Sequence, residues 1–376
     1  MPDYALIEAG DPAPHFHSRS AGNPRYSFDT AAGRHIVLCF LGSSTHPAAQ
    51  AALAAVFDRP GTFDDRHACF FGATADPADE AEGRLANRIP GYRFLWDSDR
   101  TAARAYGAAP AKGDGPYRPR WVLIDPSLRV VEVIAFAADG SDRARLAAAL
   151  DSLPPVGEHT GTQVMAPILY LPRVFEPDLC RALVDLYDRH GGASSGFMRQ
   201  VDGRTVGLND PRHKSRRDCM VTDAELIATI QNRFRRRVVP EIAKAHQFQS
   251  TRMERYLVGC YTAEEGGHFA AHRDNTTSGT AHRRFAVSVN LNDDFEGGEV
   301  SFPEYGPRGF KAPPGGAVVF SCSLLHAVGR VTAGRRYAFL PFLYDDAAAR
   351  IRDANRHLIG AAQAGDAAEA TGTGNA

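Results

Sequence analysis

Phe285-Ala-Val-Ser-Val-Asn-Leu291 alternates bulky and small side chains, the two-residue period of a strand whose faces meet different surroundings. Further strand-like runs surround it: Met253 to Val258, Glu299 to Phe302, Gly316 to Ser321 and Arg336 to Leu343. Phe295-Glu-Gly-Gly298 and Pro313-Pro-Gly-Gly316 supply turn residues between them. Upstream, Pro177 to His190 and Thr222 to His246 read as helices, the second opening on Thr222-Asp-Ala-Glu225, an S/T-x-x-E capping box. Helices followed by many antiparallel strands predict a β-sandwich or jelly roll with flanking helices over residues 164–345. Residues 346–376 read as a helix and then a disordered tail, because the last stretch is small and polar.

The pattern changes on the amino-terminal side of Pro154-Pro-Val-Gly-Glu-His-Thr-Gly-Thr-Gln163, whose composition is that of a linker, placed at 156–163. In residues 1–155, His35-Ile-Val-Leu-Cys-Phe-Leu41 is a continuous apolar run, as in a strand buried on both faces. Ala68 to Thr74 and Trp121 to Asp125 look alike, and Val130 to Phe136 extends the set. Pro47 to Phe57, Pro77 to Ile89 and Ser141 to Leu150 have helical composition between and after them. Alternating strands and helices predict an α/β unit, so the whole chain is an α+β protein of two domains.

The 376 residues suit two cores better than one, and 44% hydrophobic with 23% charged residues is an ordinary globular balance. A net charge of -1 gives no general attraction for nucleic acid or an anionic membrane, and no apolar stretch is long enough to span one. Six scattered cysteines without a C-x-x-C pair exclude a zinc ribbon and fit reduced thiols. With no signal-like start at Met1-Pro-Asp-Tyr-Ala, a cytoplasmic location is expected. One basic run, Arg212-His-Lys-Ser-Arg-Arg217, stands out. Its ordinary reading is a solvated loop, and its functional one a loop that meets an acidic or peptide substrate.

His272-Arg-Asp274, followed about fifty residues later by His326, carries the chemistry. Two imidazoles and a carboxylate form the facial triad of non-haem Fe(II), which leaves the opposite face of the octahedron open. Residues i and i+2 of a strand share a side, so His272 and Asp274 can reach one metal, with His326 arriving from a strand across a barrel mouth. The same donors suit a hydrolytic Zn(II) site. Arg336, ten residues past His326 on the next strand, argues for iron, because its fork suits a carboxylate that a hydrolase does not need. His268 reads as a neighbour of the metal set or a surface residue, and His213, His246 and His282 as surface histidines.

Arg255-Tyr256, Tyr261, His272-Arg-Asp274, Gly297-Gly-Glu-Val-Ser-Phe302, Pro314-Gly, Phe320, His326 and Arg336 together resemble the prolyl 4-hydroxylase branch of the 2-oxoglutarate oxygenases. The resemblance spans residues 164–345 and implies a double-stranded β-helix with flanking helices. It implies Fe(II) held by His272, Asp274 and His326, and 2-oxoglutarate on the iron with its far carboxylate on Arg336, Arg335 being the alternative. Tyr261 matches a tyrosine that hydrogen-bonds this co-substrate, with an interval to His272 one residue longer than usual; Asn290 and Thr332 are further pocket candidates. O2 and 2-oxoglutarate would be consumed, succinate and CO2 released, and a C–H bond hydroxylated, with ascorbate stimulation common among such proteins.

Gly10-Asp-Pro-Ala-Pro-His-Phe16, Thr45 and Arg120-Trp-Val-Leu-Ile-Asp125 resemble the peroxiredoxin (AhpC/TSA) branch of the thioredoxin fold. That branch places a nucleophilic cysteine three residues after the threonine, where a helix start lowers its pKa. Thr45-His-Pro-Ala48 has alanine there, and the upstream proline is missing too, so this half reads as catalytically silent. Substrate recruitment, homo-oligomerisation, or redox sensing through Cys39 or Cys69 stay open for it. For the whole chain the resemblance implies hydroxylation of a prolyl or other protein residue. The alternatives are a free amino acid or other small molecule as substrate, or a non-catalytic sensor of iron and 2-oxoglutarate or redox binding module. The stretch from Ser194 to Met220 reads as a long lid loop that separates peptide from small-molecule substrates.

Overall fold

The computed structural model describes residues 3–360 and the backbone of 374–375. The tail expected to be disordered falls, apart from those two positions, outside the described residues. The chain divides into a unit of Met1–Met165 with Pro303–Pro307, and a second of Ala166–Phe302 with the chain from Arg308 onward.

In the first unit a seven-stranded sheet runs in the order Asn23–Ser27, His17–Ser20, Tyr92–Trp96, Ala68–Thr74, His35–Gly42, Arg120–Ile124, Val130–Ala135. His35–Gly42, Ala68–Thr74 and Tyr92–Trp96 are parallel, while Arg120–Ile124 and Val130–Ala135 run antiparallel to their neighbours. The unbroken apolar run of His35–Gly42 has a direct cause. Ile36, Leu38 and Phe40 enter one core with Ala102 and Ala103, whereas Val37, Cys39 and Leu41 enter another with helices Pro47–Phe57 and Ser141–Asp151. A strand buried on both faces has no polar positions to alternate with. The helix expected over Pro77 to Ile89 stops at Ala81, and Gly83 follows at φ +63, a turn conformation that Gly adopts without strain.

The second unit stacks helices Pro177–His190, Ala224–Arg237 and Val239–His246 against a large antiparallel sheet. That sheet holds Arg252–Glu254, Phe342–Tyr344, Phe285–Asn290, Val331–Phe339, Leu257–Thr262, Arg217–Met220 and Ala193–Ser194 in spatial order, with Ala317–Ser321 also on Phe285–Asn290. A smaller sheet is ordered Lys214–Ser215, His268–His272, His326–Val328, Val300–Ser301, Gly309–Phe310. Two expected elements break, and one cap shifts by a residue. Thr222 to His246 is two helices, because Pro240 stands in the first turn of the second, where its missing N–H is tolerated. Asp223, rather than Thr222, caps the first helix, accepting from the Leu226 N–H at 2.7 Å. Met253 to Val258 is interrupted at Arg255, which sits at φ +66 with its guanidinium 3.2 Å from Asp218.

The stretch from Ser194 to Met220 is structured. A hairpin, Phe197–Val201 with Arg204–Leu208, is followed by Lys214–Ser215 and Arg217–Met220. Gln200 and Thr205 tie the hairpin to the turn Ser278–Thr280 by accepting its N–H groups at 2.9 and 2.8 Å. A carboxy-terminal helix, Asp346–Asn355, starts on Asp345, which accepts from Ala348 N–H. Among the described residues, no helix is long and apolar enough to cross a membrane.

Candidate active site

His272 ends the strand His268–His272, and His326 opens its antiparallel neighbour, the two residues facing each other in register. The second histidine thus comes from the adjacent strand of the same sheet and not from across a barrel mouth. Asp274 follows two residues after His272, just past the strand end. Its two carboxylate oxygens lie 3.5 Å from His272 Nε2 and 3.4 Å from His326 Nε2. One donor atom from each residue falls within 4.8 Å of the others, a spacing suited to a single metal ion.

The backbone sets the histidine tautomers. His272 Nδ1 is 2.8 Å from the Ala270 carbonyl and His326 Nδ1 is 3.0 Å from that of Leu324, so both Nδ1–H groups donate and both Nε2 lone pairs face Asp274. Burial, with His272 alongside, pushes His326 down to about 4, which keeps it neutral as a ligand must be. Burial opposes the charge of Asp274, yet His326 and His272 beside it hold the carboxyl well below its usual range. The rings are fixed by packing: Phe269 stacks on His272 at 3.5 Å between centroids, and Phe320 lies 4.5 Å from His326.

On the large sheet, Arg336 pairs in register with Tyr261, and both are nearly inaccessible, at 2% and 1% exposure. Arg336 Nε donates to Asn290 Oδ1 at 3.0 Å and Nη2 to Ser288 Oγ at 2.7 Å. Its Nη1 is buried with no hydrogen-bond partner among the described residues. A guanidinium held by two neutral acceptors, with its Nη1 amino group left over, suits an incoming carboxylate. Gly298, at φ +69, makes room for it: a Cβ there would stand 3.0 Å from Arg336 Cδ. Arg335 is exposed, and so is Thr332, four residues before Arg336 on the same strand. Tyr261 shares an apolar cluster with Val328 and Phe269, which links this cradle to the ring stacked on His272.

Several residues were read differently from sequence. Lys214 and Arg216, expected in a solvated loop, are 6% and 7% exposed. Arg216 Nη1 donates to the Tyr261 hydroxyl at 3.3 Å. His282 is buried, with Nε2 3.0 Å from Glu254, and His213 is half-buried between Phe197 and Phe269, while His246 is exposed. Burial and nearby His272 push His213 down to about 4. His268 is buried, its ring nitrogens spent on the Gly266 and Arg212 carbonyls. Ser288 was missed, although its place two before Asn290 puts it on the same strand face.

In the amino-terminal unit Ala48 lies in the first turn of helix Pro47–Phe57, whose cap is His46. Burial pushes the Cys39 thiol well up, and the Cys69 thiol up to about 12, the opposite of a reactive cysteine. All six cysteines are buried and free. The native protein is therefore expected to react slowly with an aromatic disulfide reagent, and to release six equivalents of chromophore only on denaturation. A fast equivalent from the native state would restore a redox role.

Residues 223–344 match the model of the 2OG-Fe(II) oxygenase superfamily, and residues 9–133 that of the AhpC/TSA family. The carboxy-terminal unit thus carries an oxygenase domain of the oxidoreductase class, whose family works with Fe(II), 2-oxoglutarate and O2, and the amino-terminal unit an AhpC/TSA-type domain. A PKHD-type hydroxylase of Cupriavidus metallidurans is 29% identical over 183 residues, which is 46% of this chain and 75% of that protein. Other PKHD-type hydroxylases match over less than two thirds of their length. Among solved structures, a Pseudomonas putida prolyl-4-hydroxylase is 14% identical with a TM-score of 0.37, covering 47% of this chain and 92% of its own. The peroxidoxin BcpB of Mycobacterium tuberculosis is 22% identical with a TM-score of 0.34, covering 40% and 99%.

Proposed function

We propose that the protein is an Fe(II)- and 2-oxoglutarate-dependent dioxygenase that hydroxylates a C–H bond of a prolyl or other residue in a protein substrate. What supports this most is the convergence of His272, Asp274 and His326 within 4.8 Å, together with a buried Arg336 whose Nη1 has no partner among the described residues. The two sheets are read as a double-stranded β-helix, with the metal set on the smaller and the cradle on the larger.

When bound, Fe(II) and 2-oxoglutarate would supply the chemistry that activates O2, one oxygen atom leaving in succinate as CO2 is released and the other entering the hydroxylated product. His272, Asp274 and His326 would hold the iron, the two imidazoles kept in the Nδ1–H tautomer by Ala270 and Leu324. Arg336 would take the far carboxylate of 2-oxoglutarate, with Tyr261 against it. Burial of the cradle excludes water from that ion pair and strengthens it. The same chemistry on a free amino acid or other small molecule is the second reading. It is favoured by the hairpin of Phe197–Val201 with Arg204–Leu208, where a long lid loop was expected. The amino-terminal unit is read as silent, since Ala48 offers no thiolate.

Anaerobic titration tests this reading. Fe(II) followed by 2-oxoglutarate should give a weak visible charge-transfer band that neither shows alone, and admitting air should give succinate in step with 2-oxoglutarate consumed. No band from folded protein would return the triad to a zinc or structural role. A band without turnover would leave a sensor.

A further inference from the structure

Two residues of the basic run, Lys214 and Arg216, are folded in beside the strand His268–His272 and Tyr261. Lys214 pairs in register with Phe269, and its Nζ lies 4.9 Å from the centre of the Phe269 ring, the ring stacked on His272. Nζ donates to Ser195 Oγ at 2.7 Å and to the Gly196 carbonyl at 2.6 Å. An ammonium has three protons, and these neutral acceptors take two. Among the described residues, no carboxylate forms an ion pair with Lys214.

The nearby carboxylate is already committed. Asp218 takes Arg216 bidentately at 2.6 and 2.7 Å, Arg255 at 3.2 Å and the Ser195 hydroxyl at 2.5 Å. Glu254, further off, is taken by His282 and Arg283. Asp274 belongs to the metal set. Arg216 and Arg255 therefore share one carboxylate in direct contact, Asp218, and Lys214 has none, Asp218 and Asp274 attracting it only from a distance. The co-substrate does not correct this imbalance. An Fe(II) ion and the Arg336 guanidinium together balance the charges of Asp274 and a 2-oxoglutarate dianion. A buried cation without a counter-ion is unfavourable, and burial accordingly drives the Lys214 ammonium toward its neutral form. A fold keeps such a group at low cost when a ligand brings the missing anion.

We infer that Lys214, flanked by Arg216, is an anion subsite for the substrate, and that the substrate carries a carboxylate close to the carbon that is hydroxylated. The carboxylate comes either from an acidic residue beside the modified one in a peptide, or from a free acidic amino acid. This inference rests on the oxygenase reading.

The test uses the intact chain with Fe(II) and 2-oxoglutarate, and two probe sets. One is a randomised peptide library read by mass for added oxygen, and the other the free proteinogenic amino acids read by succinate. Enrichment of Asp or Glu beside the oxidised residue supports the subsite with a peptide source, and preferential turnover of aspartate or glutamate supports it with a small-molecule source. Lys214→Met should retain the Fe(II)–2-oxoglutarate band while lowering kcat/KM for acidic probes about tenfold or more relative to their neutral isosteres, the usual weight of a charged hydrogen bond. Lys214→Arg should restore much of the preference. Turnover of neutral or basic probes only, or an acidic preference unchanged in Lys214→Met, overturns the inference and leaves the oxygenase intact. Absence of the band in the wild-type protein overturns both.

Discussion

Asp274→Asn is expected to lower 2-oxoglutarate decarboxylation at least about a hundredfold, since even partners outside a metal's ligand set are worth about ten- to a hundredfold. The substitution keeps the shape of the side chain and removes its charge. Asp274 is the only anionic member of the triad, with its oxygens 3.5 and 3.4 Å from the two Nε2 atoms. An amide offers one neutral oxygen, so the cation would enter a buried site against two neutral imidazoles, its charge uncompensated. The metal-free fold should tolerate the change, because the amide keeps the carboxylate's shape and can still hydrogen-bond the two imidazoles beside it. The melting temperature without metal should therefore stay close to that of the wild-type protein. The rise on adding Fe(II), which follows from binding to the native state alone, should vanish. A variant that keeps this rise would remove Asp274 from the ligand set.

That His272, Asp274 and His326 come together was legible because the signal is local. His272 and Asp274 need only the strand period to share a side, and His326 needs only a second strand. That His326 would be the direct cross-strand partner of His272 depends on sheet order, which no local pattern encodes. The continuous apolar run at His35 to Leu41 was equally readable, since burial on both faces leaves a signature in every residue. Segments that depend on distant partners were opaque. Arg212 to Arg217 looks solvated from its charge, and only pairing with Asp218, Ser195 and the strand His268–His272 buries Lys214 and Arg216. The break at Arg255 had no turn residue to announce it, because a contact with Asp218 accompanies its positive φ. Pro240 marks the division of the long helix, a signal that the reading of Thr222 to His246 as one helix passed over.

Arg336→Met should raise the KM for 2-oxoglutarate by about 30-fold to more than a thousandfold, the range expected when one partner of a buried charge pair is truncated at about 2–5 kcal/mol. Methionine fills most of the volume, so the core should survive. It leaves Ser288 Oγ and Asn290 Oδ1 without their donor, as well as the incoming carboxylate without its cation. At saturating 2-oxoglutarate kcat should fall much less than kcat/KM, because the carboxylate lies far from the bond being broken and its contact is made equally before and during reaction. Arg336→Lys should fall between: an ammonium keeps the charge but cannot hold Asn290, Ser288 and a carboxylate in one plane as the guanidinium does. Lys214→Met is the counterpart. If its KM for 2-oxoglutarate rises while that of Arg336→Met does not, the far carboxylate sits over Phe269 at Lys214, and the cradle at Arg336 serves the substrate instead. The expected pattern is the reverse, since Arg336, 2% exposed, has a whole nitrogen, Nη1, that no described group satisfies, whereas Lys214 Nζ already donates to Ser195 and Gly196.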